Sequence, residues 1–464
     1  MGRNTRLVKL AVDAWRARAG GPRAIAARRR ERLAATLARA REIPLYRRLW
    51  AGLPERAGLD ALTPMTKSVW VEGFEDSIDD PQVTRDALWS YMQDLTRIGA
   101  PWLGRYSVCR SSGVMGLKAL FVHDQDAMDV YWTLWLTRGW LPWLGVSGTA
   151  RMVARGGRSV HLVATNGHFA SAAFIRRSSP LGAVADARSA TLSILKPIGR
   201  LTRALDHWQP AVLLGYPTVL EQLAIQQRSG DLSLDLLLAV SVSEWIEPTA
   251  RQRIEDAFSC PLKDSYAASE FLALGFECPE GWIHVNDDWV VLEPVDHDMR
   301  PVPPGEPSDT ALVTNLANRA QPIVRHDIED RVTLRPDPCP CGSPFTAVRL
   351  EGRQNDVLHY DGANGRRVAL QPIALITLVA GVPGPKMGCQ FVQTHPHELS
   401  LRIAFPSDAD ADRTWAEVER RLRAHLRDMG LPHVEVLRSP IPPGRDPRTG
   451  KLRKFWSEIP IGVV

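Results

Sequence analysis

Between about residues 100 and 350 the chain alternates short apolar runs with helix-like stretches, and this alternation constrains the fold more than any other feature. The runs include Val160 to Ala164, Ala211 to Leu214, Leu236 to Val242 and Val290 to Glu293. Short buried strands separated by helices predict a mixed α/β domain. The end of the chain reads differently. Leu399, Leu401, Ile403 and Phe405 alternate with Ser400, Arg402 and Ala404, as in a half-buried strand. Trp415, Val418, Leu422, Leu426 and Met429 recur at spacings of three and four, which predicts an amphipathic helix stopped by Gly430 and Pro432. Val434 and Val436 open another alternating strand. This stretch reads as a small α+β domain. A composition shift after Gly352 places the boundary, giving domains 1–354 and 355–464.

A length of 464 residues agrees with more than one domain, at about 150 residues each. Hydrophobic residues make up 44% and charged residues 23%, which excludes a disordered or fibrous chain. No stretch reaches the roughly 18 apolar residues of a membrane span. The richest candidate, Tyr131 to Leu144, is broken by Arg138, Gly139 and Pro142. The basic N-terminus runs into further arginines, so no signal peptide is expected. Six cysteines do not make a disulfide scaffold, and a reduced, cytoplasmic setting is expected.

The net charge of +5 conceals an asymmetry. Residues 1–50 hold thirteen Arg and Lys9 against Asp13, Glu31 and Glu42, a net +11, which leaves −6 for the remainder. This segment, expected to be helical up to Pro44, reads either as a solvated Arg-rich face or as a docking surface for something acidic. The acidic partners considered are a carrier protein, a nucleotide and a membrane surface. Nucleic acid is disfavoured, because no aromatics interleave with the basic run and the rest of the chain is acidic.

Short polar motifs follow in a fixed order. The first is Arg110-Ser111-Ser112-Gly113-Val114-Met115-Gly116-Leu117-Lys118. Serines, glycines and a lysine in one loop cradle phosphate through backbone N–H groups and hydroxyls, although the spacing is not that of a Walker A loop. Then come Ser243-Glu244-Trp245, Tyr266-Ala267-Ala268-Ser269-Glu270, Arg325 to Asp330, Gly352 to Asp356, and Pro447 to Lys454. Singly each has a plain reading: Tyr266 as a core aromatic, Glu270 as a surface acid, Asp330 as a loop-capping acid, Lys451 as part of a basic tail.

As an ordered set, from about residue 40 to 456, they resemble the adenylate-forming superfamily of acyl-CoA synthetases, adenylation domains and luciferases, most closely its phenylacetate–CoA ligase branch. The resemblance implies a large mixed α/β N-terminal adenylate-forming domain and a small mobile α+β C-terminal domain. It implies that a carboxylate attacks the α-phosphate of ATP to give acyl-AMP, from which a thiol or amine displaces AMP. Ser111, Ser112, Gly113, Gly116 and Lys118 match the phosphate loop, and Ser243 and Glu244 the segment flanking adenine. Tyr266 matches the residue that stacks on the base, with Ser269 in the same run, and Glu270 the acid that helps hold Mg2+. Asp330 matches the ribose-binding carboxylate and Arg353 its basic neighbour. Asn355 falls at the hinge and Lys451 at the catalytic lysine. The acyl pocket is assigned by family position to the stretch holding His168 and Phe169, to Tyr216 and to Trp245. His168 reads equally as a satisfied core histidine. Trp132, Trp135, Trp140 and Trp143 read as packing.

The chain departs from the pattern at several positions. Val114 and Met115 stand where the loop usually carries threonines, His326 and Glu329 replace an aromatic and a glycine, and Asn355 replaces an aspartate. These departures leave ATP binding in place and bear on rate and pyrophosphate handling.

Cys278-x5-His284 and Cys339-Pro340-Cys341-Gly342 together offer three thiolates and an imidazole, a closed tetrahedral set suited to structural zinc. The alternative is two unrelated clusters. Cys109, Cys260 and Cys389 read as buried small hydrophobes. The expected activity is therefore ATP-dependent acid–thiol ligation of a small, aromatic carboxylic acid, with coenzyme A or the phosphopantetheine of an acidic acyl carrier protein as acceptor. The alternatives are a nitrogen nucleophile and a non-catalytic nucleotide-binding chain.

Overall fold

The computed structural model describes residues 2–111, 119–177, 182–244, 246, 248–351, 358–362, 367–370, 372–382, 388–405, 411–443 and 455–459. The apolar runs become the centre of a nine-stranded sheet. Its order is Val332–Leu334, Ala347–Leu350, Ile283–Val285, Phe271–Glu277, Leu262–Ala268, Leu238–Val242, Val212–Gly215, Ser159–Val163, Ser189–Ser193. The five strands from Leu262–Ala268 to Ser189–Ser193 run parallel, and the others pair antiparallel. The parallel strands Val212–Gly215 and Leu238–Val242 are buried at every position, which is why they read as unbroken apolar runs rather than alternating ones. The expected run Val290 to Glu293 belongs instead to a three-stranded antiparallel sheet of Val290–Val295, Thr310–Asn315 and Ile323–Asp327.

The tryptophan-rich stretch packs as expected. Trp132 stacks on Phe174 with ring centroids 4.7 Å apart, and Trp135 meets Phe276 edge-on at 5.3 Å. Residues Trp135–Trp140 form a π-helical turn, which the spacing gave no sign of.

The N-terminal segment corrects the expectation of one helix ending at Pro44. Helix α1 (Arg3–Ala19) and helix α2 (Gly21–Glu42) form a hairpin broken at Gly20 and Gly21, the latter at φ +67°. Pro44 does not stop helix. It occupies the first turn of helix α3 (Pro44–Leu49), where its missing N–H costs nothing. One face of the basic hairpin is pinned to the body by buried acids. Arg3 and Arg6 pair with Asp129, and Asp288 holds Arg138 at 2.6 Å and Arg32 at 3.5 Å. The arginine-rich run is therefore partly an internal docking face.

Residues beyond 357 build a separate hydrophobic core around Phe391, Leu399, Leu401, Leu422, Leu426 and Phe455. A four-stranded sheet in the order Glu435–Arg438, Glu398–Ala404, Gly388–His395, Phe455–Ser457 packs with helices Pro372–Ala380 and Ala411–Asp428. Gly430, at φ +78°, follows the second helix as a left-handed stop. This core touches the larger body where Gln222 Nε2 approaches Met429 Sδ at 3.7 Å. No helix among the described residues is long and apolar enough to cross a membrane.

Candidate active site and metal centre

Parallel strands place all their carboxyl ends on one rim of the sheet, and the motif residues collect there. Tyr216 follows Val212–Gly215. Ser243 and Glu244 follow Leu238–Val242. Tyr266 lies near the end of Leu262–Ala268, and Ser269 and Glu270 come next. Open α/β sheets bind ligands outside this rim, because the strands deliver chain there while their own backbone groups stay paired. Ser243 marks the turn with φ +70°, a conformation that costs a non-glycine residue energy and clusters at functional sites.

Hydrogen bonds tie these residues to each other. Thr218 Oγ1 donates to Glu244 Oε2 at 2.8 Å. Tyr216 Oη lies 3.3 Å from Ser171 Oγ, and burial, opposed by that contact and reinforced by Glu244, raises its phenol. Tyr266 Oη donates to Asp330 Oδ2 at 3.0 Å, joining the residues matched to base and ribose. Glu270 is held at its carbonyl by Asn315 Nδ2 at 2.7 Å, and its Oε1 lies 3.3 Å from His326 Nε2. His326 is 1% exposed, edge-on to the rings of Trp70 and Phe121 at 5.2 and 5.8 Å. Sequence reading missed this histidine as a partner of Glu270, although its departure from the expected aromatic was the available signal. Glu329 stands at φ +62°, which explains why a glycine is usual there.

The expected phosphate loop springs from a hairpin of Ser107–Arg110 and Leu120–His123, in which Arg110 is paired with Leu120. Ser111 closes its neck. The Ser111 N–H donates to the Ala119 carbonyl at 2.9 Å, and the Ala119 N–H donates to Ser111 Oγ at 3.2 Å. Ser112, Gly113, Val114, Met115, Gly116 and Lys118 lie outside the described residues, as do Trp245, Arg353, Asn355, Lys451 and Lys454. Arg110 lays its guanidinium 4.4 Å from the Phe169 ring, and burial lowers its pKa to about 10.

His168 corrects its assignment to the acyl pocket. Its Nε2 meets the Asp94 carbonyl at 3.2 Å, its ring packs against Tyr91, and burial depresses its pKa. It is a satisfied core histidine. Phe169, 5% exposed beneath Arg110, is likewise a packing residue in the stem of the loop. Cys109, Cys260 and Cys389 are buried cysteines outside any disulfide, and burial pushes the Cys260 thiol up to about 12.

A second cluster lies at the other end of the sheet. Cys278 follows Phe271–Glu277, His284 is the middle residue of Ile283–Val285, and Cys339 and Cys341 precede Ala347–Leu350, whose Ala347 pairs with His284. The three sulfurs and one imidazole nitrogen fall within 4.8 Å of one another. Cys278 Sγ and Cys339 Sγ are 3.8 Å apart, far too long for a disulfide. That spacing matches the edge of a tetrahedron built on Zn–S bonds of about 2.3 Å. His284 Nδ1 lies 2.9 Å from the Phe345 carbonyl and so carries the proton, leaving the Nε2 lone pair facing Cys341 Sγ at 3.2 Å. The donor set, its closure and its tautomer fit zinc.

Comparisons with known proteins agree with this architecture. No family model matches the sequence. Protein CapK of Staphylococcus aureus is 24% identical over 250 residues, covering 52% of this chain and 53% of that protein. The chain thus spans about half the length of the curated relative it matches. The structure of 2-hydroxyisobutyryl-CoA ligase with 2-HIB-AMP and CoA in the thioesterification state superposes with TM-score 0.59 at 20% identity, over 92% of this chain and 88% of that one. The same ligase in the postadenylation state with R3-HIB-AMP gives 0.54 at 19% identity, over 94% and 89%. At these identities the likeness is one of fold.

Proposed function

The chain has the fold of the adenylate-forming ligases, and on that fold we propose that it is an ATP-dependent acid–thiol ligase of the phenylacetate–CoA ligase-like branch. It activates a small carboxylic acid, aromatic in our reading, as acyl-AMP and passes the acyl group to a thiol. The observation that carries this is the convergence of Tyr216, Ser243, Glu244, Tyr266 and Glu270 at the carboxyl rim, with Asp330 bonded to Tyr266.

In this reading Tyr266 and Asp330 hold the adenosine, and Ser243 and Glu244 flank it. Ser111, Ser112, Gly113, Gly116 and Lys118 receive the phosphates, and Arg353 supports the ribose end. Glu270 would hold Mg2+, whose charge offsets that of the phosphates, and a single carboxylate suits a cation bound mainly by substrate oxygens. Trp245 and Tyr216 bound the acyl side. Lys451 bridges the carboxylate and the α-phosphate, and Asn355 is the hinge. Cys278, His284, Cys339 and Cys341 would hold zinc as a closed structural site. The acceptor is coenzyme A or the phosphopantetheine of a carrier protein, in a cytoplasmic setting.

The test is ATP–pyrophosphate exchange with a panel of aryl, alkyl and hydroxy acids on Mg2+-loaded protein. Exchange that depends on one class of acid is expected. No acid-dependent exchange from folded protein would assign the chain to the non-catalytic nucleotide-binding reading. Exchange with no transfer to a thiol, but release of AMP on addition of an amine, would assign it a nitrogen acceptor.

A further inference from the structure

The outward face of α1 carries an apolar ridge in a basic setting. Val8, Val12 and Trp15 are 63%, 41% and 67% exposed. At about 100° per residue they fall within about 60° of one another, a single stripe along the helix. The inward face is already committed, with Ala14 and Ala17 buried and Arg3 and Arg6 reaching Asp129. The helix thus packs Leu10, Ala14 and Ala17 inward and still turns a second apolar stripe to water, which an ordinary surface helix does not. On the same wheel Lys9 and Arg16 border one edge of the stripe and Arg18 the other, all three exposed. Arg23 and Arg30 on α2 are also exposed. Arg16, Arg18, Arg23 and Arg30 have no ion pair among the described residues, in contrast to the arginines that dock the hairpin.

We propose that this face of α1 seats the protein on an anionic phospholipid surface, with Trp15, Val8 and Val12 entering the boundary between headgroups and acyl chains and Arg16 and Arg18 meeting lipid phosphates. An indole flanked by aliphatics and bordered by cations is the composition of an interfacial helix. The ridge is convex and only three apolar side chains long. A stable protein interface engages about 20 residues a side, whereas a deformable lipid surface closes over a ridge of any shape. The unpaired arginines set the sign of the partner, and their attraction is confined to within a Debye length of the surface.

Full-length protein is sedimented with vesicles of phosphatidylcholine alone and of phosphatidylcholine mixed with phosphatidylglycerol. Binding to the mixed vesicles, weakened by added salt, is expected. Trp15→Glu and the double variant Arg16→Glu/Arg18→Glu should each weaken it at least about tenfold. Both change exposed positions, and unchanged thermal melting by circular dichroism confirms that each variant is folded. Failure to bind mixed vesicles, equal binding to neutral ones, or undiminished binding by Trp15→Glu overturns the proposal. Elution as a dimer that Trp15→Glu dissolves, without vesicle binding, assigns the ridge to a second copy of this chain and also overturns it.

Discussion

Forming an acyl-adenylate brings an anionic carboxylate against a phosphate, and an ammonium that touches both lowers their repulsion in a site that excludes water. Lys451 is the residue proposed for this. Lys451→Ala should cut acid-dependent ATP–pyrophosphate exchange at least about a hundredfold while leaving transfer from prepared acyl-AMP near the wild-type rate. A selective defect in Lys454→Ala instead would move the assignment to that residue. A second prediction concerns Asp264. Burial first, and then the neighbouring Glu277, push its carboxyl from the ordinary 3.8 up to about 7. The folded chain therefore keeps a proton that the unfolded chain releases. The stability this contributes is complete below about pH 4 and is lost as pH rises through about 7. Asp264→Asn holds an uncharged group at every pH, so its stability relative to wild type should rise between about pH 5 and about pH 8, as read from urea midpoints. A difference that does not change with pH would show that Asp264 is not held neutral. At this scale the motif residues were legible because chemistry-bearing types cluster in short runs. Their partners were not: Thr218 with Glu244 and His326 with Glu270 are 26 and 56 positions apart.

Among the elements, the Cys/His cluster joins the end of one strand, the middle of the next and the loop before a third, and it also supports the hairpin. Phe345, whose carbonyl faces His284, packs with Ala17 of α1 and Ile25 of α2, and Arg138 lies 4.3 Å over its ring. Metal analysis of protein purified without chelator should find about one zinc per chain, and Cys339→Ser should lose folding stability rather than one half-reaction alone. The absence of zinc from such protein would leave the four residues as a packed polar cluster. The spacing of Cys278 and His284 made this site legible. The break at Gly20 and Gly21 was not, since the helix-forming residues on either side mask a turn set by one left-handed glycine. The docking of the hairpin was hidden for another reason. Asp129 and Asp288 are far from their arginine partners in sequence, and nothing local marks an acid as a buried counter-ion.

For the whole molecule, the two largest hydrophobic cores among the described residues follow the two sequence patterns, short apolar runs between helices before residue 352 and alternation plus an amphipathic helix after it. The hinge proposed at Asn355 would let one site present two faces in turn. Asn355→Pro, by fixing φ, should slow acyl transfer more than adenylation, as measured by separate half-reactions. Equal loss in both would indicate a folding defect. The order of the C-terminal sheet bears on the same motion. Glu435–Arg438 and Phe455–Ser457 occupy its opposite edges, three strand spacings or about 14 Å apart. Phe455 is buried against Phe391, with ring centroids 4.8 Å apart and nearly parallel planes. Strands of one sheet thus lie on either side, in sequence, of the segment bearing Lys451. In the role proposed for it, Lys451 would be a tethered reagent: its effective concentration at the rim would depend on the orientation of the small body, and its arrival would be a unimolecular event at the rate of that body's rotation.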